Sequence, residues 1–327
     1  AYCIFAALTL GGSPSSAESM DAAPRPREEI IVEGVREHEL QPSPATTEST
    51  TADEIAKTVN ATNTEDALRY LPNILIRKRH IGDTQAPMTT RTSGVGASAR
   101  SLIYADGVLL SALIGNNNST ASPRWGMVAP ESIERIDVLY GPFGAAYPGN
   151  SIGAVVNITT RMPEKFEAGA KVGLTWQKFD QYATHDAYGS QQGAAYIGDR
   201  TGRLSWFLSF NHVNSHSQPL AYVTAARPAT PSTNGAVTTG SFPNLNRSGA
   251  PIAVLGASGL ENQVQDTVTA KVAVDLAPAW RASYSVGLFR NDTESHAESY
   301  LRNTAGTPVY TGALNLNGYS YNVAASA

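Results

Sequence analysis

From about residue 166 onward, apolar and polar side chains alternate with a period of two. Ala168, Ala170, Val172, Leu174 and Trp176 alternate with Gly169, Lys171, Gly173, Thr175 and Gln177. A less regular run covers 187–197, and Gly198–Gly202 reads as a short turn. Leu204, Trp206, Leu208 and Phe210 then alternate with Ser205, Phe207, Ser209 and Asn211. Val268, Ala270, Val272, Val274 and Leu276 alternate with Thr267, Thr269, Lys271, Ala273 and Asp275. A tight turn at Ala277-Pro278-Ala279 leads to Trp280, Ala282, Tyr284, Val286 and Leu288, set against Arg281, Ser283, Ser285, Gly287 and Phe289. Successive side chains of a strand point to opposite faces, so each run predicts a strand with one apolar and one polar face. Between them, 214–263 is polar, rich in Pro, Asn, Ser and Thr, and reads as a long loop. Strands of about ten residues joined by alternating short and long connections predict antiparallel transmembrane β-barrel strands. A soluble antiparallel sheet has the same period, but usually with shorter strands and no loop of that length.

Upstream the pattern differs. Residues 51–162 mix short helical and β-rich runs and predict a compact α+β domain. Thr51 or Asp53 can cap a helix running to Lys57. Thr64 can cap a second over Glu65–Leu71, with acidic residues in its first turn and Pro72 ending it. Ser101–Tyr104 and Val108–Leu110 flank Ala105-Asp106-Gly107, a hairpin turn signal. Ile133–Leu139 and Ala154–Thr160 read as strands. Ahead of this domain, 23–50 is rich in Pro, Ser, Thr and Glu and reads as a flexible linker. Its one β-prone island is Glu29, Ile30, Ile31, Val32, Glu33 and Gly34, suited to pairing as an added strand. Residues 1–22, apolar and then small, read as the remnant of a secretory signal peptide.

Composition narrows the function. Lys and Arg number 24 against 28 Asp and Glu, so there is no basic field and no nucleic-acid partner is expected. The single cysteine, Cys3, excludes an internal disulfide and a cysteine-rich metal site. No run of ~18 apolar residues suggests a transmembrane helix. The six histidines do not cluster at metal-ligand spacing, and there is no nucleophile elbow, so no enzyme activity, cofactor or resident metal is expected.

The sharpest motif runs from Ser132 to Thr160, with glycines at 141, 144, 149 and 153 folding a tight loop between two strands. A phosphate loop is disfavoured, because no Lys-Ser/Thr follows the glycines. The stretch resembles the plug signature of TonB-dependent outer-membrane receptors: Glu134 and Arg135 in the first strand, Gly141, Pro142, Tyr147 and Gly149 in the loop, Gly153 and Asn157 beyond it. Leu68–Pro72 and Leu102–Val108 fit the same family, and Glu29–Gly34 resembles its TonB box. Tyr140 stands where the family usually has an arginine.

The resemblance implies an α+β plug inside an outer-membrane barrel. It also implies TonB as the partner that pairs with the box, outer-membrane lipid around the wall, and uptake of a scarce bulky ligand, foremost an iron chelate. Cobalamin or oligosaccharide uptake, or added signalling to a periplasmic regulator, is the alternative. Plugged barrels close with about 22 strands. The few runs after residue 163 therefore predict an incomplete barrel and a sequence that is part of a longer protein. For ligand contact the expectation is an apical plug loop carrying Asn116, Asn118, Arg124 and Trp125, which offers amides, a cation and an aromatic ring.

Overall fold

In the computed structural model, which describes residues 2–12, 46–91, 100–111, 125–141, 147–149 and 151–324, the first element is strand β1 (Tyr2–Gly12). Strand β2 (Thr47–Thr51) runs directly into helix α1 (Ala52–Thr58). Thr51 caps that helix reciprocally: its amide donates to the Glu54 carboxylate at 2.8 Å, and its hydroxyl accepts from the Glu54 amide at 3.4 Å. The expected second helix is a single 3₁₀ turn, Thr64–Leu68, capped by Asn63. Its whole length is buried, so Thr64 serves the core by donating to the Val128 carbonyl. Strands β3 (Ile74–Ile76) and β4 (Met88–Thr90) pair antiparallel.

Strands β5 (Leu102–Ala105) and β6 (Val108–Leu109) form the expected hairpin, with Asp106 and Gly107 at φ 46° and 80°. Strands β7 (Ile133–Tyr140) and β8 (Ala154–Thr160) complete a five-stranded sheet in the order β2-β7-β8-β5-β6, with β5 parallel to β8. The pairing of β2 with β7 places 47–50 in the plug sheet, not in the flexible linker expected there. Ile55, Leu68, Met88, Ile103, Ile136 and Ile158 form the core between this sheet and its helical cover. Tyr140 is buried at the end of β7 and donates its hydroxyl to the Pro72 carbonyl at 2.5 Å. A neutral hydrogen bond therefore stands where the family's usual arginine would place a charge.

The wall strands are longer than their alternation suggested: β9 (Glu167–Gln181), β10 (Thr184–Thr201) and β11 (Leu204–His216). Three short strands follow, β12 (Ala221–Ala226), β13 (Ala236–Thr239) and β14 (Phe242–Leu245). Strand β15 spans Pro251–Ala277 and β16 spans Trp280–Ser299. The first half of β15 falls in the stretch expected as loop. Ala253 and Leu255 pack with Leu301, Leu314 and Leu316, and Val254, Ala257 and Leu260 pack with Tyr300, so both of its faces are covered and the two-residue alternation is lost. β12 and β14 pair with the upper part of β15. Strands β17 (Arg302–Asn303), β18 (Gly312–Leu316) and β19 (Tyr319–Val323) form a small sheet with β13.

The wall is the antiparallel succession β9-β10-β11-β15-β16, with β1 along the far side of β16 from Tyr2↔Arg290 to Gly12↔Trp280. The segment expected as a signal remnant thus lies as a wall strand. An open sheet edge carries unpaired backbone groups, and an apolar β-prone segment satisfies them. Strands β9, β11, β15 and β16 turn their alternating apolar sets away from the plug. Leu174, Trp176, Leu208, Phe210, Val272, Leu276 and Trp280 are exposed large hydrophobics. From Val268 to Leu276 the chain rises roughly 27 Å, or ~21 Å along the membrane normal at a tilt of ~40°, which covers most of the ~25 Å apolar band of an outer-membrane barrel. Among the described residues no helix is long and apolar enough to cross a membrane.

Leu208→Arg, on the apolar face, should destabilise the intact protein in lipid vesicles by about 2–4 kcal/mol. The neighbouring Ser209 faces inward, and its buried hydroxyl has no partner, so Ser209→Ala should be neutral or mildly stabilising. Urea titration in vesicles checks both.

Candidate functional site at the plug–wall interface

The inner face of the wall carries Gln192, Asn211, Ser215, Gln265, Thr267 and Lys271, all buried against the plug. Several of these side chains reach backbone carbonyls of plug loops. Gln192 donates to Thr62 at 3.3 Å, Gln265 to Gly82 at 2.5 Å and Thr267 to Gly126 at 3.2 Å. Ser215 donates to Ile81, and Lys171 to Ala61. Loop carbonyls have no ladder partner, so the wall supplies one. Glycine lets the two surfaces approach: a Cβ on Gly126 would stand 2.6 Å from the Phe289 ring, and one on Gly82 would stand 2.9 Å from Ser215.

Three ionic latches reinforce this seam. Near the turn between β15 and β16, Lys271 Nζ lies 2.9 Å from Asp106 Oδ2 and donates to Thr160 Oγ1 and O at 2.5 and 3.2 Å. Asp106 is itself fixed by the Thr160 amide and hydroxyl at 2.9 and 2.6 Å. Midway, Lys171 Nζ stands 3.6 Å from Glu131 Oε1, and Asn211 donates to Glu131 Oε2 at 3.4 Å. Burial pushes the Glu131 carboxyl up, with Lys171 opposing it.

Highest on the wall, Arg79 clamps Asp83 through Nε and Nη2 at 3.0 and 2.8 Å and reaches Glu261 on β15 at 3.3 Å. His80 Nε2 is 3.3 Å from the same Glu261. Asp83 is fully buried. Burial alone would raise its pKa, but the Arg79 guanidinium and the amides of Arg79 and Gln85 outweigh it and hold it below the usual range.

Beside this latch lies a buried pair of carboxylates. Lys78 Nζ is 2.8 Å from Asp66 Oδ2 and from Asn63 Oδ1, but 3.7 Å from Glu65 Oε1, which has no hydrogen-bond partner. Asn63 in turn donates to Gln265 on the wall at 3.0 Å. Asp66 stays below its usual range because Lys78 and the amides of Asn63 and Thr62 overcome the opposing effect of burial. Glu65 is pushed up to about 7 by burial.

The residues singled out in the sequence fall into three groups. Arg135 binds Asp137 at 2.7 Å and Ser49 at 3.3 Å, tying β2 to β7, while Glu134 points to solvent. Gly141 and Gly153 pair across the loop base at 3.3 Å, Tyr147 packs on Tyr104 with ring centroids 6.2 Å apart, and Asn157 lies in β8 opposite Asp137. Among the described residues nothing lies within 4 Å of the position a Cβ on Gly149 would take. Glu29–Gly34, Asn116, Asn118, Arg124 and Pro142 lie outside the described residues. Trp125, expected on an exposed apical loop, is 4 % exposed and belongs to the plug core. It opens a 3₁₀ turn and buries its ring against that core, so it does not present itself to a ligand. Sequence reasoning missed the latches. Their one visible signal was a lysine on the polar face of two wall strands, Lys171 and Lys271.

Residues 39–155 match the family model described as TonB-dependent Receptor Plug Domain. The chain carries a TonB-dependent receptor plug. A curated relative, the ferric enterobactin receptor PirA of Pseudomonas aeruginosa, is 30% identical over 141 residues, 41% of this chain and 18% of that protein. A point mutant of the ferric enterobactin receptor PfeA from Pseudomonas aeruginosa, solved with enterobactin, superposes with a TM-score of 0.52 at 18% identity. That match covers 76% of this chain and 33% of the PfeA chain. PfeA in complex with BCV-L6 gives the same TM-score, identity and coverage. The matches thus span 18% of PirA and about a third of PfeA, and over the matched part the fold of this chain is that of the corresponding part of PfeA.

Two substitutions probe the seam. Lys271→Met should weaken the plug's hold by about 2 kcal/mol, read as faster hydrogen exchange in the β5–β6 hairpin. Glu65 has a folded pKa of about 7 against 4.5 when exposed. Its cost is absent below pH ~4.5, grows as pH rises to ~7, and is then fully present, on the order of 3 kcal/mol. Glu65→Gln should therefore raise Tm at pH 8 more than at pH 5; equal shifts at both values would count against the buried anion.

Proposed function

We propose that the intact receptor takes up a scarce, bulky chelate of the iron–siderophore type across the bacterial outer membrane, with the plug as its gate. The observation that carries this reading is the plug–wall seam. It consists of single hydrogen bonds from wall side chains to loop carbonyls, together with a few ion pairs. Each bond contributes only about 1 kcal/mol. Such a seam holds the gate shut collectively, yet water can take over each bond as the plug moves. An apolar seam would give up its whole buried area at once. The similarity to receptors named for ferric enterobactin supports a chelate as cargo.

In this reading Glu29–Gly34 is the TonB box, lying 13 residues before the first strand of the plug sheet at Thr47. The energy-transducing partner TonB adds to it as a strand, since Ile30, Ile31 and Val32 supply β-branched side chains at an otherwise polar site. Pull on this segment reaches the plug through β2. Because β2 is hydrogen-bonded to β7, and Ser49 to Asp137 at 2.5 Å, force enters the central sheet directly. Residues 1–22 act as the export signal. Once they are removed, the edge of β16 is open to the next wall strand. The chain performs binding and gating, and no bond in the cargo is broken.

Deleting Glu29–Gly34 from the intact receptor should abolish growth on the cognate ferric chelate while leaving cell-surface binding of the labelled chelate unchanged. Retained uptake would remove the box assignment. Arg124→Ala should weaken chelate binding at least tenfold by equilibrium binding to whole cells, whereas unaltered affinity would move the contact away from that loop.

A further inference from the structure

The wall grips four consecutive plug residues. Gln218 donates to the Arg79 carbonyl at 2.8 Å, Ser215 to that of Ile81, and Gln265 to that of Gly82 at 2.5 Å, while the Arg79 guanidinium reaches Glu261. His80 stands in the middle of this row, its side chain 2 % exposed. Its ring lies between two acceptors. Nδ1 is 2.8 Å from the Ile81 carbonyl oxygen, and Nε2 is 3.3 Å from Glu261 Oε2. A carbonyl only accepts, so Nδ1 carries a hydrogen. In a neutral ring Nε2 then turns its lone pair toward a carboxylate. A second proton, on Nε2, converts that repulsion into a charge-assisted hydrogen bond between plug and wall.

The surrounding charges favour that proton. The loop of His80 supplies Arg79 and Asp83, and β15 supplies Glu261. The other wall groups at this point, Ser215, Ser217, Gln218, Gln263 and Gln265, are neutral. The adjoining 3₁₀ turn brings Glu65 and Asp66, with Lys78 beside both. Four carboxylates thus face Lys78, Arg79 and a third cation, Arg69, that is 55 % exposed on Asp66. Glu65 responds in the same sense. Burial pushes it up to about 7, with Lys78 opposing and Asp66 and Asp83 adding to the rise. As pH rises, Glu65 therefore gains an unmatched buried charge while His80 loses its bond to the wall. Both changes weaken the seam.

We infer that His80 is a proton-operated latch: protonated, it binds Glu261 and closes residues 79–82 onto β15, and neutral, it gives up that contact and slackens the plug's hold on the wall. The hold is tighter in acid and looser toward alkaline pH. The inference rests on the plug being seated against the wall and is independent of the cargo. For a plug that moves as a gate, the work of unseating it falls as pH rises.

Hydrogen exchange of the intact receptor in lipid vesicles tests this between about pH 5.5 and 8, each rate being divided by the intrinsic rate at its pH. Peptides covering 77–85 should lose protection about tenfold or more across that range. The β5–β6 hairpin, held by Lys271 and Asp106, should change less than about twofold and serves as the internal control. His80→Gln should cut the loss at 77–85 to less than about threefold, and adding Glu65→Gln should remove the remainder. Glu261→Gln gives Nε2 an amide donor at every pH. It should flatten the profile in the same way, and it serves if His80→Gln does not fold. A flat profile in the unsubstituted receptor would overturn the latch, as would the full loss surviving in either folded variant. Equal losses in 77–85 and in the hairpin would assign the pH response to the plug as a whole and overturn it too.

Discussion

The structure depends on one constraint: the backbone carbonyls of the plug's loops must find donors inside a wall with no bulk solvent to spare. The inner-facing members of the wall strands meet that need. Gln192, Ser215, Gln265 and Thr267 each end on a plug carbonyl. The same residues explain why the wall strands read as two-faced. Their polar face is not simply wet. It is the complementary surface of a second domain, and the spacing of two that turns Leu208 to lipid turns Ser209 and Phe207 to the plug.

The ion pairs add specificity to that surface more than strength. Lys271 recognises the tip of the β5–β6 hairpin, where Asp106 is presented by a turn that needs positive φ at two successive residues. Arg79 holds Asp83 within the plug and Glu261 across the seam with one guanidinium, whose planar fork suits two carboxylates better than an ammonium could. Breaking one partner of a buried pair costs more than the pair contributes, so these contacts set the plug's register against the wall. Glu65 is the exception. With Lys78 committed to Asp66, it is left as a buried carboxyl whose charge is not matched.

Much of this was legible in order along the chain. The turn at Asp106-Gly107, the strands at 133–140 and 154–160, and the outward sets of β9, β11, β15 and β16 follow from local pattern. The glycine-rich signature named the plug without any tertiary information. The upper half of β15 and the small sheet of β13, β17, β18 and β19 were not legible, because their strands pack on loops and lack the alternation that a single apolar face imposes. Trp125 was misplaced for a related reason: beside Asn and Ser residues an indole reads as exposed, and only the fold shows that it closes the plug core.

By itself the sequence determined the division into plug and wall, the outward sets of β9, β11, β16 and the second half of β15, and the resemblance to the plug family. Those are consequences of local propensity and period, which act between near neighbours. The tertiary structure alone decided which residues latch the plug to the wall. Lys171, Lys271 and Glu261 are distant in sequence from Glu131, Asp106 and Arg79 and carry no shared motif. Their pairing arises only when the curved wall brings its inner face onto the plug, and an ion pair needs proximity, not pattern.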